Sequence, residues 1–327
     1  MTPRVRPWAR SSSASISEPP RTLVVGPGAI GGFVAARLTE AGWPVAVLAR
    51  DTTRRALREN PLLLTDDGAD RAVRLHPVAD PLDWRPVELA IVCVKSFDTE
   101  TVAGALSPAL APGAVVLSFQ NGVGNPEILA RACPGASVGG VAVFLGCQRL
   151  GPGHVVRRPS RDPSTGRLRD LLAGGGAGPA GAALTRVAQA LGVPARVDSD
   201  PAVALWSKLV ANVSLNTVTA LGRARVGRVL ADPRAVSLML ALGREVVAVA
   251  HAAGIPVAPD AAEAYVADAR RLPADGGSST LFDLEAGRRL ERDALVGAVV
   301  REGARLGVDV PVSRACDALL RLLDPGR

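Results

Sequence analysis

The chain has 327 residues, of which 48% are hydrophobic, 21% charged and 3% aromatic. A chain of this length is expected to form about two domains and to bury a core without metal or disulfide support. Its formal net charge of +7 suits an anionic ligand or a nucleic acid, but the low aromatic content argues against a protein that stacks bases on rings. Four cysteines without a C-x-x-C pair and three separated histidines disfavour a zinc site and a disulfide scaffold.

The first 20 residues are rich in arginine and serine and have no apolar stretch of the kind found in secretory signals. We interpret them as a disordered tail. No uninterrupted apolar run reaches the roughly 20 residues needed to cross a bilayer. The sequence therefore predicts a cytoplasmic protein that acts on a small molecule. It predicts no membrane or nucleic-acid partner and leaves a homodimer as a candidate assembly.

Residues 21–199 alternate short apolar runs with helical patterns. The apolar runs are residues 22–26, 44–50, 89–95, 114–120 and 137–145. A glycine turn and a helical pattern join the first two runs, as in a parallel strand–helix–strand unit. The pattern predicts an α/β domain of the Rossmann type with a doubly wound sheet. Residues 147–182, rich in Gly, Pro and Arg, are expected to form a polar hairpin followed by a flexible insert.

Residues 200–327 have few strand signals and several long amphipathic helical patterns. The pair Asp232-Pro233 is typical of a helix start, and Gly254 is typical of a helix end. We therefore expect an all-α C-terminal domain that follows the Rossmann-type N-terminal domain. No internal repeat is evident in the sequence.

A glycine-rich turn follows the first apolar run and opens the first helical pattern. It reads Gly26-Pro27-Gly28-Ala29-Ile30-Gly31, which fits the spacing G-x-G-x-x-G. In such turns the first glycine allows the tight bend, the second lets the backbone approach a pyrophosphate, and the third allows close packing of helix and strand. We expect the phosphates of a dinucleotide to bind at the helix N-terminus, against Gly26, Gly28, Ala29, Ile30 and Gly31.

The residue that ends the second apolar run distinguishes the two nicotinamide dinucleotides. An acidic residue there binds the ribose 2′-hydroxyl of NAD, whereas an arginine can pair with the 2′-phosphate of NADP. This position is Arg50, and Arg54 and Arg55 follow shortly after it. Asp51 is the competing acid, but one residue later it is better placed to begin the next helix. The sequence therefore predicts NADPH as the cofactor.

Lysine and asparagine are scarce in this chain. Of the 38 basic residues only Lys95 and Lys208 are lysines, and the asparagines are Asn60, Asn121, Asn125, Asn212 and Asn216. A lysine ammonium, unlike a guanidinium, can have its pKa lowered by burial. Lys95 and Asn121 each follow an apolar run, at the edge where open α/β sheets bind ligands. The alternative for Asn121 is a simple Asn-Gly turn.

Lys208, Asn212 and Asn216 are spaced i, i+4 and i+8 on a predicted helix. Each step drifts by about 40°, so the three side chains share one helix face. The alternative is a surface lysine followed by two amides that only cap or pack. A lysine here could stabilise a developing alkoxide and donate a proton if a carboxylate lies nearby. Periodicity does not separate the candidate partners, which are Ser278, Ser279, Asp283, Glu285, Glu291 and Asp293.

Several segments, in their order and spacing over residues 22–315, resemble the ketopantoate reductase (2-dehydropantoate 2-reductase) family. They are GPGAIGG, VCVKS, SFQNGVG, LWSKLVANVSLNTVTAL, GREVVAVAHAAGIPV and SSTLFDLEAGRRLERDALVGAVVREGARLGV. The resemblance implies NADPH-dependent reduction of the 2-keto group of ketopantoate to give pantoate, a step toward pantothenate and coenzyme A. It also implies a Rossmann domain followed by a helical domain, with the active site in the cleft between them.

The resemblance further implies roles for individual residues. The implied catalytic residues are Lys208 and its partner acid Glu291. The implied substrate-binding residues are Asn212, Asn216 and Ser279, and the implied cofactor-binding residues are Arg50, Lys95 and Asn121. The roles of Glu291 and Ser279 rest mainly on the resemblance, whereas scarcity marks the lysines and asparagines independently.

The chain departs from the family pattern near the implied substrate site. The family usually has T-E-I-D around its acid, where this chain has Leu290-Glu291-Arg292-Asp293. Thr217 and Val226 stand where the family tends to have proline and asparagine. A lost polar contact could mean a substrate without the distal hydroxyl of ketopantoate. The alternatives are therefore a paralogous NADPH-dependent reductase of another 2-oxo acid or ketone, as in secondary metabolism, and a non-catalytic NADP-binding sensor.

Overall fold

The computed structural model describes residues 18–158 and 170–326. Most of the predicted N-terminal tail and part of the predicted insert lie outside these residues. The strands are, in chain order, β1 (Thr22–Val25), β2 (Val45–Leu48), β3 (Leu62–Asp66), β4 (Ala69–Val73), β5 (His76–Val78), β6 (Val87–Val92), β7 (Leu110–Ser118), β8 (Ser137–Phe144), β9 (Cys147–Gly151), β10 (His154–Arg157), β11 (Leu171–Gly175) and β12 (Ala195–Asp198).

The α-helices of the first part of the chain are α1 (Ala29–Glu40), α2 (Asp51–Glu59), α3 (Thr99–Leu106), α4 (Asn125–Ala132) and α5 (Pro179–Leu191). Those of the second part are α6 (Pro201–Ala211), α7 (Thr217–Gly222), α8 (Val226–Ala231), α9 (Pro233–Ala252), α10 (Ala261–Ala269), α11 (Ser279–Glu285), α12 (Val296–Leu306) and α13 (Pro311–Leu323). A π-helical turn, Asn212–Asn216, connects α6 to α7.

The main sheet has the strand order β12-β11-β8-β7-β6-β1-β2-β5. The strands from β8 to β5 in this order run parallel, and β11 pairs antiparallel with β8. The chain leaves β1 through α1 toward β2 on one side, while β6 lies on the other side of β1. Strand order therefore reverses next to β1, and open α/β sheets bind ligands at the carboxyl ends of the strands at such a point. The predicted Rossmann-type doubly wound fold is confirmed.

Helices cover both faces of the main sheet. Side chains of α1 and α5 pack in one apolar cluster with the sheet, and side chains of α3 and α4 pack in another. Parallel strands that are buried on both faces have continuous apolar sequences. For this reason the five apolar runs of the sequence correspond to strands, namely β1, β2, β6, β7 and β8.

A second sheet, with the order β4-β3-β10-β9, packs on α1. Its β9–β10 pair is the predicted polar hairpin, whereas the sequence analysis did not predict β3 and β4. Two buried ion pairs lie at this sheet. Arg157 donates from Nη1 to Asp66 Oδ1 at 2.9 Å and from Nη2 to Asp170 Oδ2 at 2.7 Å. Because Asp170 directly precedes β11, these pairs connect the two sheets.

The prediction of a flexible insert extending to residue 182 is wrong for the described part of that segment. Residues Leu171–Gly175 form β11 within the main sheet, and α5 begins at Pro179. The glycines here serve close packing. A Cβ atom at Gly174, which has φ +118°, would lie 2.4 Å from the Gly140 carbonyl oxygen. Glycine in a strand is typical where another backbone comes this close.

The described residues from Pro201 onward are helical, as predicted. The helix α9 begins after Asp232, whose side chain accepts a hydrogen bond from the Arg234 amide at 2.8 Å. Met239, Leu242 and Val246 on α9 are fully buried in the core of this half. Among the described residues, α9 is the one helix whose length and composition would allow it to cross a membrane, and 39% of its most apolar window is buried here.

Candidate active site

The glycine turn between β1 and α1 has two packed glycines and one open glycine. A Cβ atom at Gly26, where φ is +89°, would lie 2.7 Å from Val94 Cγ1, and one at Gly31 would lie 2.2 Å from the Gly26 oxygen. Around Gly28, in contrast, a Cβ atom would meet nothing within 4 Å. The chain itself therefore explains Gly26 and Gly31, while Gly28 leaves an open backbone surface that fits the approach of a pyrophosphate.

The N-terminus of α1 lies directly beside this open surface. Gly28 is its N-cap residue, and no side chain among the described residues caps the helix there. The backbone N–H groups at a helix start have no partner within the helix and lie at the positive end of the helix dipole. The turn and the helix start thus fit an anionic group of a dinucleotide.

Arg50 lies at the carboxyl end of β2 and is the N-cap residue of α2. Its side chain is 81% exposed, and its Nη2 atom lies 2.5 Å from Asp98 Oδ2. Asp51 begins α2, as expected, and forms an ion pair with Arg54 one turn later. Arg50 is therefore accessible at the sheet edge and lies opposite a single carboxylate.

Lys95 follows β6 and makes ion pairs with two acids of the helical half. Its Nζ atom lies 2.6 Å from Asp283 Oδ2 and 2.9 Å from Glu291 Oε2. The Ser96 amide donates to Glu291 Oε1 at 3.1 Å. Desolvation alone would lower the pKa of Lys95, but the charges of Glu291 and Asp283 outweigh it, so the pKa lies above its usual value. Lys95 is therefore a cation that joins the two halves.

Lys208 reaches from α6 to the carboxyl edge of the main sheet. Its Nζ atom donates to Asn121 Oδ1 at 3.0 Å and to the Val143 carbonyl oxygen at 2.6 Å. The Phe144 ring centroid lies 5.5 Å from the same nitrogen. Burial lowers the pKa of Lys208 to about 8, and the charge of Glu291 opposes this shift without cancelling it. An ammonium has three N–H donors, so two bonds to described residues leave one donor for a ligand.

The sequence analysis expected one regular helix through Lys208, Asn212 and Asn216, and the structure differs. Residues Asn212–Asn216 form the π-helical turn, in which bonds run from i to i+5. In a regular α-helix Asn216 would lie about 80° around the axis from Lys208. The wider π-turn rotates less per residue and so reduces this angle. The shared face that the spacing predicts is retained, although the local geometry is not regular.

The amide and hydroxyl candidates lie along this helix and at the start of α11. Asn216 Nδ2 lies 3.4 Å from Ser279 Oγ, at the limit of a hydrogen bond. Asn212 Nδ2 is buried and has no hydrogen-bond partner among the described residues. A buried donor without a partner is costly and typical of a site that a ligand completes. Ser278 caps α11 by accepting from the Leu281 amide at 3.1 Å.

The remaining acidic candidates separate into two groups. Asp283 lies in the cluster with Lys95 and also accepts from Arg288 Nε at 2.8 Å. Glu285 pairs instead with Arg225 at 2.8 Å. Asp293 pairs with the adjacent Arg292 at 2.6 Å and is 61% exposed. Of the four acids that periodicity left open, Asp283 and Glu291 therefore lie at Lys95, and the other two lie elsewhere.

Sequence reasoning missed the main-chain groups of the site and the support of its Asn121 loop. Neither the Val143 carbonyl nor the Ser96 amide carries a signal in the residue type. Asn125, which is scarce but had no assigned role, donates from Nδ2 to the Asn121 carbonyl at 3.0 Å and accepts from Thr99 at 2.9 Å. Asn125 therefore stabilises the loop that presents Asn121.

The assembled site can hold an anion at the glycine turn. It also presents the Lys208 ammonium, a proton donor, at the neighbouring strand ends. Lys95, Asn121 and the glycine turn follow three adjacent strands, β6, β7 and β1. Lys208 and the acids enter from the helical half. A reacting group placed between the halves would thus meet an ammonium, amides and a hydroxyl, a set suited to polarising and protonating a carbonyl oxygen.

Profiles of known families match both parts of the chain. Residues 22–168 match the family described as "Ketopantoate reductase PanE/ApbA". Residues 202–324 match the family described as "Ketopantoate reductase PanE/ApbA C terminal". The order of the two matches follows the order of the two structural parts.

Curated relatives and solved structures agree with these matches. The 2-dehydropantoate 2-reductase of Archaeoglobus fulgidus is 32% identical over 307 residues, which cover 94% of this chain and 98% of the relative. That of Halobacterium salinarum is 33% identical over 310 residues, covering 92% and 98%. The crystal structure of a PanE/ApbA family ketopantoate reductase from Ralstonia eutropha JMP134 has a TM-score of 0.82 and 34% identity, covering 92% of this chain and 98% of that chain. The chain therefore belongs to the ketopantoate reductase family.

Proposed function

We propose that this protein reduces the 2-keto group of ketopantoate with NADPH to give pantoate, a step toward pantothenate and coenzyme A. The observation that carries the proposal is the position of Lys208. Its ammonium comes from the helical half and bonds Asn121 at the carboxyl edge of the sheet, two strands from the glycine turn. Proton donor and dinucleotide site thereby face the same cleft.

In this proposal Lys208 is the general acid. Its remaining N–H donor binds the keto oxygen, stabilises the alkoxide as it forms and transfers a proton to it. NADPH, when bound, supplies the hydride to the keto carbon. Asn121 and the Val143 carbonyl orient the ammonium by accepting its other two hydrogen bonds. After the reaction Lys208 regains its proton from water.

The acid Glu291 serves the site as a fixed negative charge. Its hydrogen bonds go to Lys95 and to the Ser96 amide, and no bond to Lys208 is formed among the described residues. Its charge nevertheless acts on Lys208. We propose that Glu291 keeps part of the Lys208 population protonated near neutral pH and that it binds a substrate hydroxyl.

Substrate binding is proposed for Asn212, Asn216 and Ser279. The Asn212 Nδ2 atom has no partner among the described residues, so an acceptor oxygen of the substrate would satisfy it. Asn216 and Ser279 lie close to each other and could hold the carboxylate together. All three donate to oxygen, which is the chemistry that a 2-keto acid requires.

The cofactor proposal rests on the glycine turn and on Arg50. The open surface at Gly28 and the free start of α1 fit the pyrophosphate through Gly26, Gly28, Ala29, Ile30 and Gly31. Arg50, exposed at the end of β2, suits the 2′-phosphate of NADPH. Lys95 and Asn121 would contact the nicotinamide end. D-mandelate dehydrogenase, solved with NADH and anilino(oxo)acetate, has the same fold at a TM-score of 0.82 and 19% identity.

The choice of NADPH over NADH is tested by Arg50→Asp. An acid at this position would repel the 2′-phosphate and accept from the ribose 2′-hydroxyl of NADH. We expect kcat/KM to fall for NADPH and to rise relative to it for NADH. Arg55→Asp, a nearby arginine on α2, is the control for a general change of charge. Equal cofactor preference in wild type and Arg50→Asp would contradict the role of Arg50.

A paralogous reductase of another 2-oxo acid is the second candidate, and two buried residues favour it. Thr217 and Val226, where the family tends to have proline and asparagine, are 3% and 2% exposed. Valine offers no hydrogen bond to a distal hydroxyl. A substrate without that hydroxyl would then bind without losing a hydrogen bond at this position.

Turnover measurements separate the candidates. NADPH oxidation is followed by absorbance with ketopantoate and with branched 2-keto acids that lack the 4-hydroxyl. The first proposal expects the highest kcat/KM on ketopantoate, and the second expects it on an acid without the hydroxyl. Tight NADPH binding without turnover of any keto acid would instead indicate a non-catalytic sensor.

We further propose a domain boundary near residue 199. The last strand of the main sheet, β12, ends at Asp198, and the first helix of the second part, α6, begins at Pro201. The proposed domains are therefore residues 21–199 for the cofactor and 200–327 for the substrate and the catalytic lysine. Separate expression of residues 21–199 with retention of NADPH binding would test this boundary.

A further inference from the structure

Glu291 lies on a short turn between α11 and α12, which we call the Glu291 turn and define as residues 287–295. The turn touches both halves of the protein. Toward the sheet, Glu291 binds Lys95 and Ser96, and the Ala294 carbonyl accepts from the Val123 amide at 3.3 Å. Toward the helical half, the Leu290 amide donates to Asp324 Oδ1 at 3.0 Å. The position of the Glu291 carboxylate thus depends on how this turn is held.

The next residue after Glu291 makes a largely buried ion pair with the helical half. Arg292 Nη1 lies 2.5 Å from Asp317 Oδ1 on α13. The two side chains are only 10% and 15% exposed. A second guanidinium nitrogen, Nη2, binds Asp293 at 2.6 Å. This ion pair is therefore shielded from solvent, unlike the other pairs of α13 and its neighbours.

The start of α12 packs closely against the Glu291 turn at Gly297. A Cβ atom at Gly297 would lie 3.1 Å from the Arg292 carbonyl oxygen, 3.4 Å from Asp317 Oδ1 and 3.5 Å from Arg292 Nη1. Glycine is a poor residue for the first turns of a helix on propensity grounds. The close Arg292 carbonyl favours glycine here, whereas the two ion-pair atoms would lie at ordinary contact distance from a Cβ atom.

A buried ion pair adds little net stability, because desolvation of two charges offsets their attraction. Removing one partner has a larger effect, because the other charge remains buried and unpaired. Arg292 would then turn toward water and draw the backbone of the turn with it. Since Glu291 precedes Arg292 directly, the carboxylate would move relative to Lys95 and Lys208.

We propose that Arg292 and Asp317 are positioning residues, whose ion pair fixes the Glu291 turn on α13 and so sets the place of the Glu291 carboxylate in the cleft. Neither side chain contacts the reacting atoms. The effect on the reaction rests on the proposed function, whereas the effect on the turn does not. Arg292 belongs to the sequence Leu290-Glu291-Arg292-Asp293, in which the chain departs from the T-E-I-D pattern of the resemblance.

The test compares Asp317→Ala with Asp317→Asn. The alanine variant removes the shielded partner of Arg292 and leaves it only the exposed Asp293 among the described acids. We expect kcat to fall by about 10- to 100-fold, as is typical when a catalytic group is displaced by about 1 Å. The affinity for NADPH, measured without substrate, should stay within about threefold, because the described side-chain contacts of Asp317 and Arg292 include none to the glycine turn or to Arg50. The asparagine variant still offers an oxygen to Arg292 and should recover most of kcat.

The control is Asp309→Ala. It breaks the ion pair of Asp309 with Arg314 on the same helix, at 2.7 Å between side chains that are 78% and 63% exposed. We expect wild-type kcat from this variant. A loss of kcat equal to that of Asp317→Ala would overturn the proposal, since any change near α13 would then suffice.

Hydrogen exchange supplies a readout that needs no turnover. In Asp317→Ala we expect faster exchange of amides in residues 290–298 and of the Ser96 amide, which donates to Glu291. Faster exchange with no substrate reduced by wild type would sustain the positioning role and reject the proposed function. Wild-type exchange and wild-type kcat in Asp317→Ala, assayed well below its melting temperature, would reject the positioning role itself.

Discussion

The Lys208 ammonium donates its hydrogen bonds to neutral oxygens. Lys95, in contrast, forms ion pairs with the carboxylates of Asp283 and Glu291. This division has an electrostatic consequence. A lysine that pairs with a carboxylate keeps a high pKa, as Lys95 does, and is a weak acid. Lys208, which lacks such a bond, has its pKa lowered to about 8 and can give up its proton near physiological pH.

Removal of this ammonium should affect chemistry much more than cofactor binding. For Lys208→Ala we expect kcat to fall by about 10²- to 10⁴-fold, the usual contribution of a general acid. NADPH affinity should remain close to wild type, because the glycine turn is unchanged. Steady-state kinetics and a fluorescence titration with NADPH measure the two quantities. Loss of NADPH binding with retained kcat would mean that Lys208 binds the cofactor instead.

The lowered pKa also sets a direction for pH dependence. Reduction needs Lys208 protonated, so kcat/KM for the keto acid should be constant below pH 8 and fall as pH rises through about 8. Oxidation of the alcohol in the reverse direction needs Lys208 unprotonated and should rise over the same range. Initial rates in both directions from pH 6 to 10 (about two units either side of the pKa) test this. Rates that stay constant up to pH 10 would contradict the effect of burial.

At this scale the sequence identifies residues better than it identifies their contacts. Scarcity marks Lys95, Lys208 and Asn121, and all three lie at the cleft. The partners of Lys95 are 188 and 196 residues away in the chain, so no local pattern links them. Periodicity of the helix also gives no means to choose Asp283 and Glu291 over nearby acids that face elsewhere.

The loop after β7 is one of the elements that connect the two halves. Gly122 has φ +84°, and a Cβ atom there would lie 2.2 Å from the Ala294 carbonyl oxygen. Gly124 in the same loop has φ +92°, yet a Cβ atom there would meet nothing within 4 Å. The two glycines share the left-handed backbone but differ in contact with the helical half.

These glycines form a matched pair for a stability experiment. Gly124→Ala should lower the free energy of unfolding by about 1 to 2 kcal/mol, the cost of a left-handed alanine. Gly122→Ala should lower it by about 1 to 3 kcal/mol more, because its methyl group also displaces the Ala294 backbone. Chemical denaturation measures both. An equal decrease in the free energy of unfolding of the two variants would indicate that the Ala294 backbone moves aside at little energetic cost.

The elements also show where local patterns fail. Buried parallel strands are continuous apolar runs and are predicted correctly, whereas β3, β4 and β5 contain polar residues. The strand β11 is rich in glycine for close packing, which resembles a flexible segment in sequence. The π-turn at Asn212–Asn216 leaves the i, i+4, i+8 pattern intact, so periodicity cannot detect it.

Part of the positive charge of the described residues is paired with acids. Exposed arginines form ion pairs with acids, for example Arg244 with Glu263, Arg305 with Glu302 and Arg314 with Asp309. A nucleic-acid surface would instead present a continuous cluster of unpaired basic residues. The net charge of +7 does not by itself indicate such a surface.

We accordingly expect no retention on immobilised duplex DNA at about 0.15 M salt, where non-specific binding depends on many phosphate contacts. Elution is followed as salt is raised from a low-salt load. Retention that weakens steeply with salt would contradict this prediction and restore nucleic-acid binding as a candidate function.

The order of the two halves was predictable because it follows from a change of period in the sequence, from strand runs to helical patterns. Their mutual placement was not, because it depends on contacts such as Gly122 against Ala294 that join distant segments. The second sheet was predicted only in its hairpin, since its other strands come from a different part of the chain.

The ion cluster around Lys95 also fixes the charge balance of the cleft. Lys95, Arg288 and protonated Lys208 outnumber Asp283 and Glu291 by one positive charge. A ligand with one negative charge therefore neutralises the positive surplus of the cleft. A neutral ligand of the same shape leaves that surplus uncompensated. Once Lys208 has lost its proton, the positive surplus disappears. The affinity of the site for an anionic substrate and its ability to protonate that substrate therefore decline together in alkaline solution.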